Sequence, residues 1–319
     1  MQKKTELQID FQVINLTPLH GLIYFTKMYD GALFKSNSSL GILKKGVGCS
    51  EVNKYAQIAI IYEGGNGGIF NLETNKLIWY KEGLRGLKLI DAFAYVSNIY
   101  ENDNCFLCRT DLQTGDLLWK INIAELGRYT ELGTKEQKSG YIHKIIGVYE
   151  DVVWVSITND TILGLSVTTG EVLHHIRQTL PFDFDFLGES RIPNSAAVIL
   201  NKAQNILQGF SRGFYWETNL ITLQTQVWNL QDYFKSIPLD DFSFRIEAFG
   251  TNHLVFTCGL EYDAIGLFNT QTRQVDWWQH LGENGPRRGV NVMTLKVVGD
   301  RIYTIDTTNT LRIFERSNQ

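Results

Sequence analysis

The phrase TDLQTGDLLWKI, residues 110–121, returns along this chain. FNLETNKLIWY stands at 70–80, LSVTTGEVLHHI at 165–176 and FNTQTRQVDWWQ at 268–279, with a more altered copy, ITLQTQVWNL, at 221–230. Each copy reads as a strand, a tight polar turn and a second strand, most with a Trp near its start. Gly or Asn after the turn Thr accepts a positive φ at little cost. A chain that repeats one hairpin buries the same face each time, so the copies must stack or close around an axis.

Aligned on the turn Thr, the copies fall at Thr74, Thr114, Thr169, Thr225 and Thr272, spaced by 40, 55, 56 and 47 residues. Such periods, with several strands in each, belong to propeller blades and not to helical solenoids. Strands such as QIAIIYEGG, GGIFNLE and KLIWY alternate around the turns, and helical patterning is nearly absent. The recurring Trp is placed to pack between adjacent blades. Composition agrees: 319 residues, 44% hydrophobic, with 28 Gly and 5 Pro, supply a large core and many turns.

The two ends extend the count. GALFKSNSSLGILKKG at 31–46 is a worn first copy with its turn near Asn37, and RIYTIDTTNTLRIFERSNQ stops where the next turn is due. ELQIDFQVI, residues 6–14, is expected to supply the missing outer strand of the last blade, which closes the ring and removes an exposed edge. The expectation is one all-β domain over residues 1–319: a β-propeller of four-stranded antiparallel blades. Seven blades follow from these turns; six and eight stay open, because the step from the fourth to the fifth is poorly marked.

The pattern apolar–Asp/Asn–x-x-Thr-Gly-x-x-x-Trp, seen best in TDLQTGDLLWK and with departures in NLETNKLIWY, SVTTGEVLHH and NTQTRQVDWW, resembles the repeat of the PQQ-like, or quinoprotein, β-propeller superfamily. The resemblance covers roughly residues 30–319 and implies the fold, not the function, because such folds host many activities. Quinoprotein dehydrogenases hold a quinone and a calcium ion, often beside adjacent cysteines. This chain has no adjacent Cys pair and is much shorter than such an enzyme. The resemblance therefore implies a member without the cofactor, and no cofactor is expected.

Motifs that carry chemistry are scarce. Cys105 and Cys108 form C-x-x-C, but residues three apart in a strand point to opposite faces. A zinc site would need two more ligands, and no second C-x-x-C or H-x-x-x-H is present. His174 stands where the repeat has Trp, so packing is its expected role, and His175 faces the other side. Asp183 and Asp185 share one side of FDFDF, yet no spaced calcium loop follows. GGNGG at 64–68 has the wrong spacing for a phosphate cradle and reads as a hairpin loop. A net charge of −4 and a pI near 5.9 argue against nucleic acid as partner. The N-terminus shows no leader or lipobox Cys, and no apolar run is long enough to span a bilayer, so a cytoplasmic protein without membrane attachment is expected.

The extra residues of the longer intervals lie in links between blades: 124–143, 176–195, 231–247 and 282–291. They carry Tyr129, Phe182, Phe184, Phe186, Tyr233, Phe234 and Phe242, beside Arg191, Arg287, Arg288 and the acidic pair Asp240 and Asp241. Aromatic residues and Arg are enriched at binding hot spots, and long loops on a rigid scaffold are where binding resides. The plainer reading is that these rings cap the core beneath the loops. The expectation is a non-enzymatic, protein-binding propeller, monomeric when free. Its specific form is a bacterial immunity protein that neutralises a cognate toxin domain. The alternatives are an enzyme or a carbohydrate or small-ligand binder with its site in the central funnel, and a general assembly scaffold.

Overall fold

The computed structural model describes residues 1–9, 13–19, 22–27, 33–36, 40–44, 48–53, 58–63, 66–74, 76–82, 84, 86–101, 104–130, 134–158, 161–176, 197–211, 213–239, 243–258, 264–281 and 291–316. After β1 (Gln2–Gln8), four consecutive strands build each sheet in turn. These are β2 (Val13–Leu19), β3 (Leu22–Lys27), β4 (Leu33–Ser36) and β5 (Leu40–Lys44); β6 (Gly48–Asn53), β7 (Ile58–Glu63), β8 (Asn66–Asn71) and β9 (Lys76–Lys81); β10 (Leu87–Ile90), β11 (Phe93–Glu101), β12 (Asn104–Thr110) and β13 (Leu117–Asn122). Past a short ladder of β14 (Tyr129–Thr130) with β15 (Gln137–Lys138) come β16 (Ile142–Tyr149), β17 (Val152–Ile157), β18 (Thr161–Ser166) and β19 (Val172–Ile176). Then follow β20 (Val198–Asn201), β21 (Ile206–Ser211), β22 (Phe214–Asn219) and β23 (Thr225–Asn229), the helix α1 (Gln231–Lys235), and β24 (Ser243–Phe249), β25 (His253–Cys258), β26 (Ala264–Asn269) and β27 (Gln274–His280). In the last sheet β28 (Val292–Val298), β29 (Arg301–Asp306) and β30 (Thr310–Glu315) take β1 as their outer neighbour. These are the four-stranded antiparallel blades of a β-propeller.

The chain forms two compact units, one of Met1–Cys49, Gln208–Trp216 and Trp228–Gln319, the other of Ser50–Leu207 and Glu217–Val227. The second unit shows why the hairpin recurs. The indole nitrogen of Trp79 donates to the Leu112 carbonyl at 2.8 Å, and that of Trp119 to the Val167 carbonyl at 2.8 Å. Each Trp thus bonds to the turn region of the following sheet. The turn glycines receive them: Gly115 (φ 71°) and Gly170 (φ 78°) leave room where a Cβ would stand 2.8 Å from the Trp79 and Trp119 rings. The Trp and the Gly of the repeat are therefore two halves of one contact between blades.

The Asp or Asn that opens the turn has an equally local reason. The Asp111 carboxylate accepts the amides of Gln113 and Thr114, both at 2.8 Å. Those bonds, Thr114 first, hold its carboxyl below the usual range. Asn71 and Asn269 serve their own turns in the same way. In the altered copy Asn219 accepts the amides of Ile221 and Thr222, so the turn Thr is Thr222 and not Thr225. Leu223 takes the position of the Gly, at φ 58°, and the missing Gly concealed the register. In GGNGG, Gly67 and Gly68 lie within β8, where a Cβ would meet the Leu84 and Trp79 carbonyl oxygens at 2.3 and 2.4 Å. That loop is therefore shorter than expected.

In the first unit β1 pairs with β30 from Gln2 opposite Glu315 to Gln8 opposite Thr310. The expected strand 6–14 is corrected to Gln2–Gln8: Val13 and Ile14 already belong to β2. Apolar alternation continues across the junction, and two strands of different sheets read as one. The Ile9 amide donates to the Asn309 carbonyl at 3.0 Å and the Gln8 side chain to the Thr308 carbonyl at 2.7 Å. Beneath them the buried Arg312 bonds the fully buried Asp306, the Glu6 carboxylate at 3.2 Å and the Leu281 carbonyl at 3.2 Å.

The Lys3 hydrogen bond, with the Arg312 charge added and partial burial opposing, holds Glu6 below the ordinary carboxylate range. Its folded value is depressed, so its contribution is full above the unfolded value and fades as pH falls through the folded one. Glu6→Gln is therefore expected to flatten the loss of thermal stability below pH 4.5, and unfolding midpoints taken across acid pH check this.

Candidate protein-binding face

Antiparallel order puts the repeat turn at one end of each sheet and the link to the next sheet at the other. The link 124–143 follows β13 and precedes β16. Its base is closed by backbone: Gly127 and Gly140 approach so nearly that a Cβ on Gly140 would stand 2.5 Å from the Gly127 Cα. The Thr158 hydroxyl donates to the Gly127 carbonyl at 2.6 Å and accepts the Tyr141 amide at 3.1 Å. Above this clamp Tyr129 stands opposite Lys138 in the β14–β15 ladder, and the Gln137 side chain donates through its Nε2 to the Thr130 hydroxyl at 2.7 Å. Arg128 pairs with Glu125.

Tyr129, singled out by the sequence, is half-buried here. Beside it lie two residues the sequence did not single out. Tyr141 is exposed and meets the His143 ring edge-on, centroids 4.9 Å apart. Partial burial, with Tyr129 nearby, pushes the Tyr141 phenol above its ordinary value. No motif marks either residue; their only signal is residence in an insert that starts and ends on Gly-supported backbone.

The rings of α1 point another way. Phe234 is 2% exposed and packs on Phe210 at 5.6 Å. Its ring is a core contact and not a surface one, as the plainer reading of loop aromatics holds. The Tyr233 hydroxyl accepts the Val275 amide at 2.8 Å and ties the helix to β27. Phe182, Phe184, Phe186, Arg191, Asp240, Asp241, Phe242, Arg287 and Arg288, with Asp183 and Asp185, lie outside the described residues.

Cys105 and Cys108 are both buried in β12, Cys108 within the cluster of Val96, Leu89 and Trp79. His174 stacks on Trp154 of its own sheet at 5.5 Å while His175 is exposed, so His174 has a packing role, though not the contact with the following sheet that Trp79 and Trp119 make. Among the described residues no group of three or more His, Cys, Asp and Glu is placed to hold a metal ion, and no helix is long and apolar enough to cross a membrane.

No family model and no curated protein matches the chain. Solved structures do. BamB from Moraxella catarrhalis is similar with a TM-score of 0.60 and 12% identity, covering 99% of both chains. A chain of the mitotic checkpoint complex gives 0.65 at 8% identity, over 99% of this chain and 92% of that one. The WD40 β-propeller domain of Doa1 gives 0.61 at 11% identity, over 99% and 97%. At such identities the likeness is one of fold.

Proposed function

We propose that this chain is a non-catalytic, protein-binding β-propeller. Its specific role in this reading is that of a cytoplasmic bacterial immunity protein that holds and neutralises a toxin domain. The seven four-stranded sheets among the described residues are taken as seven blades of one ring, with β1 as the outer strand that closes it. The links between blades form the binding face. One observation carries the reading: the link 124–143 is clamped at Gly127, Gly140 and Thr158 and presents Tyr129, Tyr141 and His143 above the clamp. A preformed aromatic surface loses little freedom on binding. The Arg and Phe content of the other links supports the same face.

The partner is sought by pull-down from the native organism with mass spectrometry. With it in hand, Tyr129→Ala, Phe184→Ala and the pair Arg287→Ala with Arg288→Ala should each weaken the complex at least about tenfold without unfolding the chain. Asp116→Ala, at the repeat-turn end, should leave the affinity unchanged. Sensitivity at Asp116 with silent links would place binding at the opposite end.

A further inference from the structure

One row of side chains on β10–β13 is unlike its counterparts. Lys88 stands opposite Tyr95, Tyr95 opposite Arg109 and Arg109 opposite Trp119, so the four share one face of the sheet. In β7–β9 the row reads Ile60, Ile69 and Trp79, and in β25–β27 it reads Val255, Leu267 and Trp277. Here the Trp is kept and the positions inside it have become polar. On β16–β18 of the following sheet the facing rows are Val148, Val153 and Leu165, and Ile145, Val155 and Leu163, all in one buried cluster with Tyr95 and Trp119. None of these six accepts a hydrogen bond. The Val167 carbonyl accepts Trp119 Nε1 at 2.8 Å and Arg109 Nη1 at 2.6 Å. Beyond that, the Tyr95 hydroxyl and Arg109 Nε are buried with no hydrogen bond among the described residues. Tyr95 is 0% exposed. Within the same residues neither Lys88 nor Arg109 forms an ion pair. Buried donors without acceptors are costly and rare, and each one calls for a physical reason.

The donors themselves say what would meet them. With Nη1 on Val167, the Nε–Nη2 edge of Arg109 presents two parallel N–H groups, the fork that matches two oxygens of one carboxylate or phosphate. The Phe93 ring lies against the same guanidinium, its centroid 4.8 Å away, and steadies it. Burial pushes the Tyr95 phenol above its ordinary value, against the pull of Arg109, so the hydroxyl keeps its proton. Asp91, the acid beside them, is paired with Lys202 at 2.7 Å. Lys88 and Arg109 are half-buried, so the row is entered past two long, flexible side chains. We propose that Arg109, Tyr95 and Lys88 form a site between these two sheets for an oxyanion, the carboxylate or phosphoryl group of a small molecule. The site goes beyond the protein-binding face above and does not depend on it.

Calorimetric titration of the full chain with inorganic phosphate and with acetate, each against chloride at equal ionic strength, tests it. At least one of the two should bind saturably; tighter acetate assigns a carboxylate ligand, tighter phosphate a phosphoryl ligand. Arg109→Gln should weaken that binding at least about tenfold, and Lys88→Gln, at a half-buried position, by a smaller factor. Tyr95→Phe should also weaken it, yet leave the unfolding midpoint of the anion-free chain at or above wild type, because it removes a hydroxyl that has no partner. A merely structural hydroxyl would lower that midpoint and leave the binding alone, which counts against the proposal. If these donors meet only water, neither anion binds saturably. That result overturns the proposal, as does binding that Arg109→Gln and Lys88→Gln both leave unchanged.

Discussion

Arg312→Ala is expected to lower the unfolding free energy by about 3–5 kcal/mol. The guanidinium is 7% exposed and the Asp306 side chain 0%. Removing the cation leaves Asp306 buried, with the Thr308 and Thr310 donors to hold its charge among the described residues. It also takes from Glu6 its bond to Arg312, leaving it Lys3, and takes a donor from the Leu281 carbonyl, so β1 and the end of β27 lose their common anchor. Arg312→Ala combined with Asp306→Leu should recover part of the loss, because no buried charge then stands alone. Denaturant unfolding of the two variants checks both statements. A single variant as stable as wild type would show that the network contributes nothing.

The second large effect belongs to the contact between blades. Trp119→Ala should cost about 3–5 kcal/mol, the range for a large buried aromatic, since it empties the space beside Tyr95 and removes the bond to Val167. Gly170→Ala should also destabilise the wild-type chain, through its positive φ and the 2.8 Å approach to the ring. In the Trp119→Ala background the steric part disappears and only the backbone part remains. The two changes are therefore expected to be non-additive, with a coupling of about 0.5–3 kcal/mol. Strict additivity in a double-mutant cycle would mean that Trp and Gly do not form one contact.

That coupling explains what the sequence made legible. The contact needs a Trp on one sheet and a Gly on the next, so the repeat at Thr114 stands out by its Gly115 and Trp119 and the repeat at Thr169 by its Gly170. Where the contact is made otherwise the pattern fades. Leu223 accepts the left-handed position and shifted the apparent turn by three residues. At the next turn Arg273, also at a positive φ of 58°, lays its guanidinium 4.1 Å from the Trp228 ring. Cation–π attraction there takes over from the close packing that Gly allows. The bulges that leave Ile78, Leu118 and Leu173 as extra residues in β9, β13 and β19 left no trace, because one extra apolar residue in such a strand looks ordinary. The proposed binding face was legible only as composition. Phe234 and Tyr129 look alike in sequence, yet a helix of five residues has too few positions to show which side faces the core, and Phe234 turned inward.

The pairing of β1 with β30 also fixes how the molecule answers to force. Gln2 faces Glu315 and Gln8 faces Thr310, so the outward ends of the two strands lie side by side. A pull applied at the two termini loads this ladder one rung at a time from the Gln2–Glu315 end. It acts like a zipper and not like a lap joint, in which all rungs share the load. The last sheet is therefore expected to open by unzipping under such a pull, although it holds the most deeply buried ion pair described. Slow traction at the ends should open it while the tryptophan contacts of the second unit still hold.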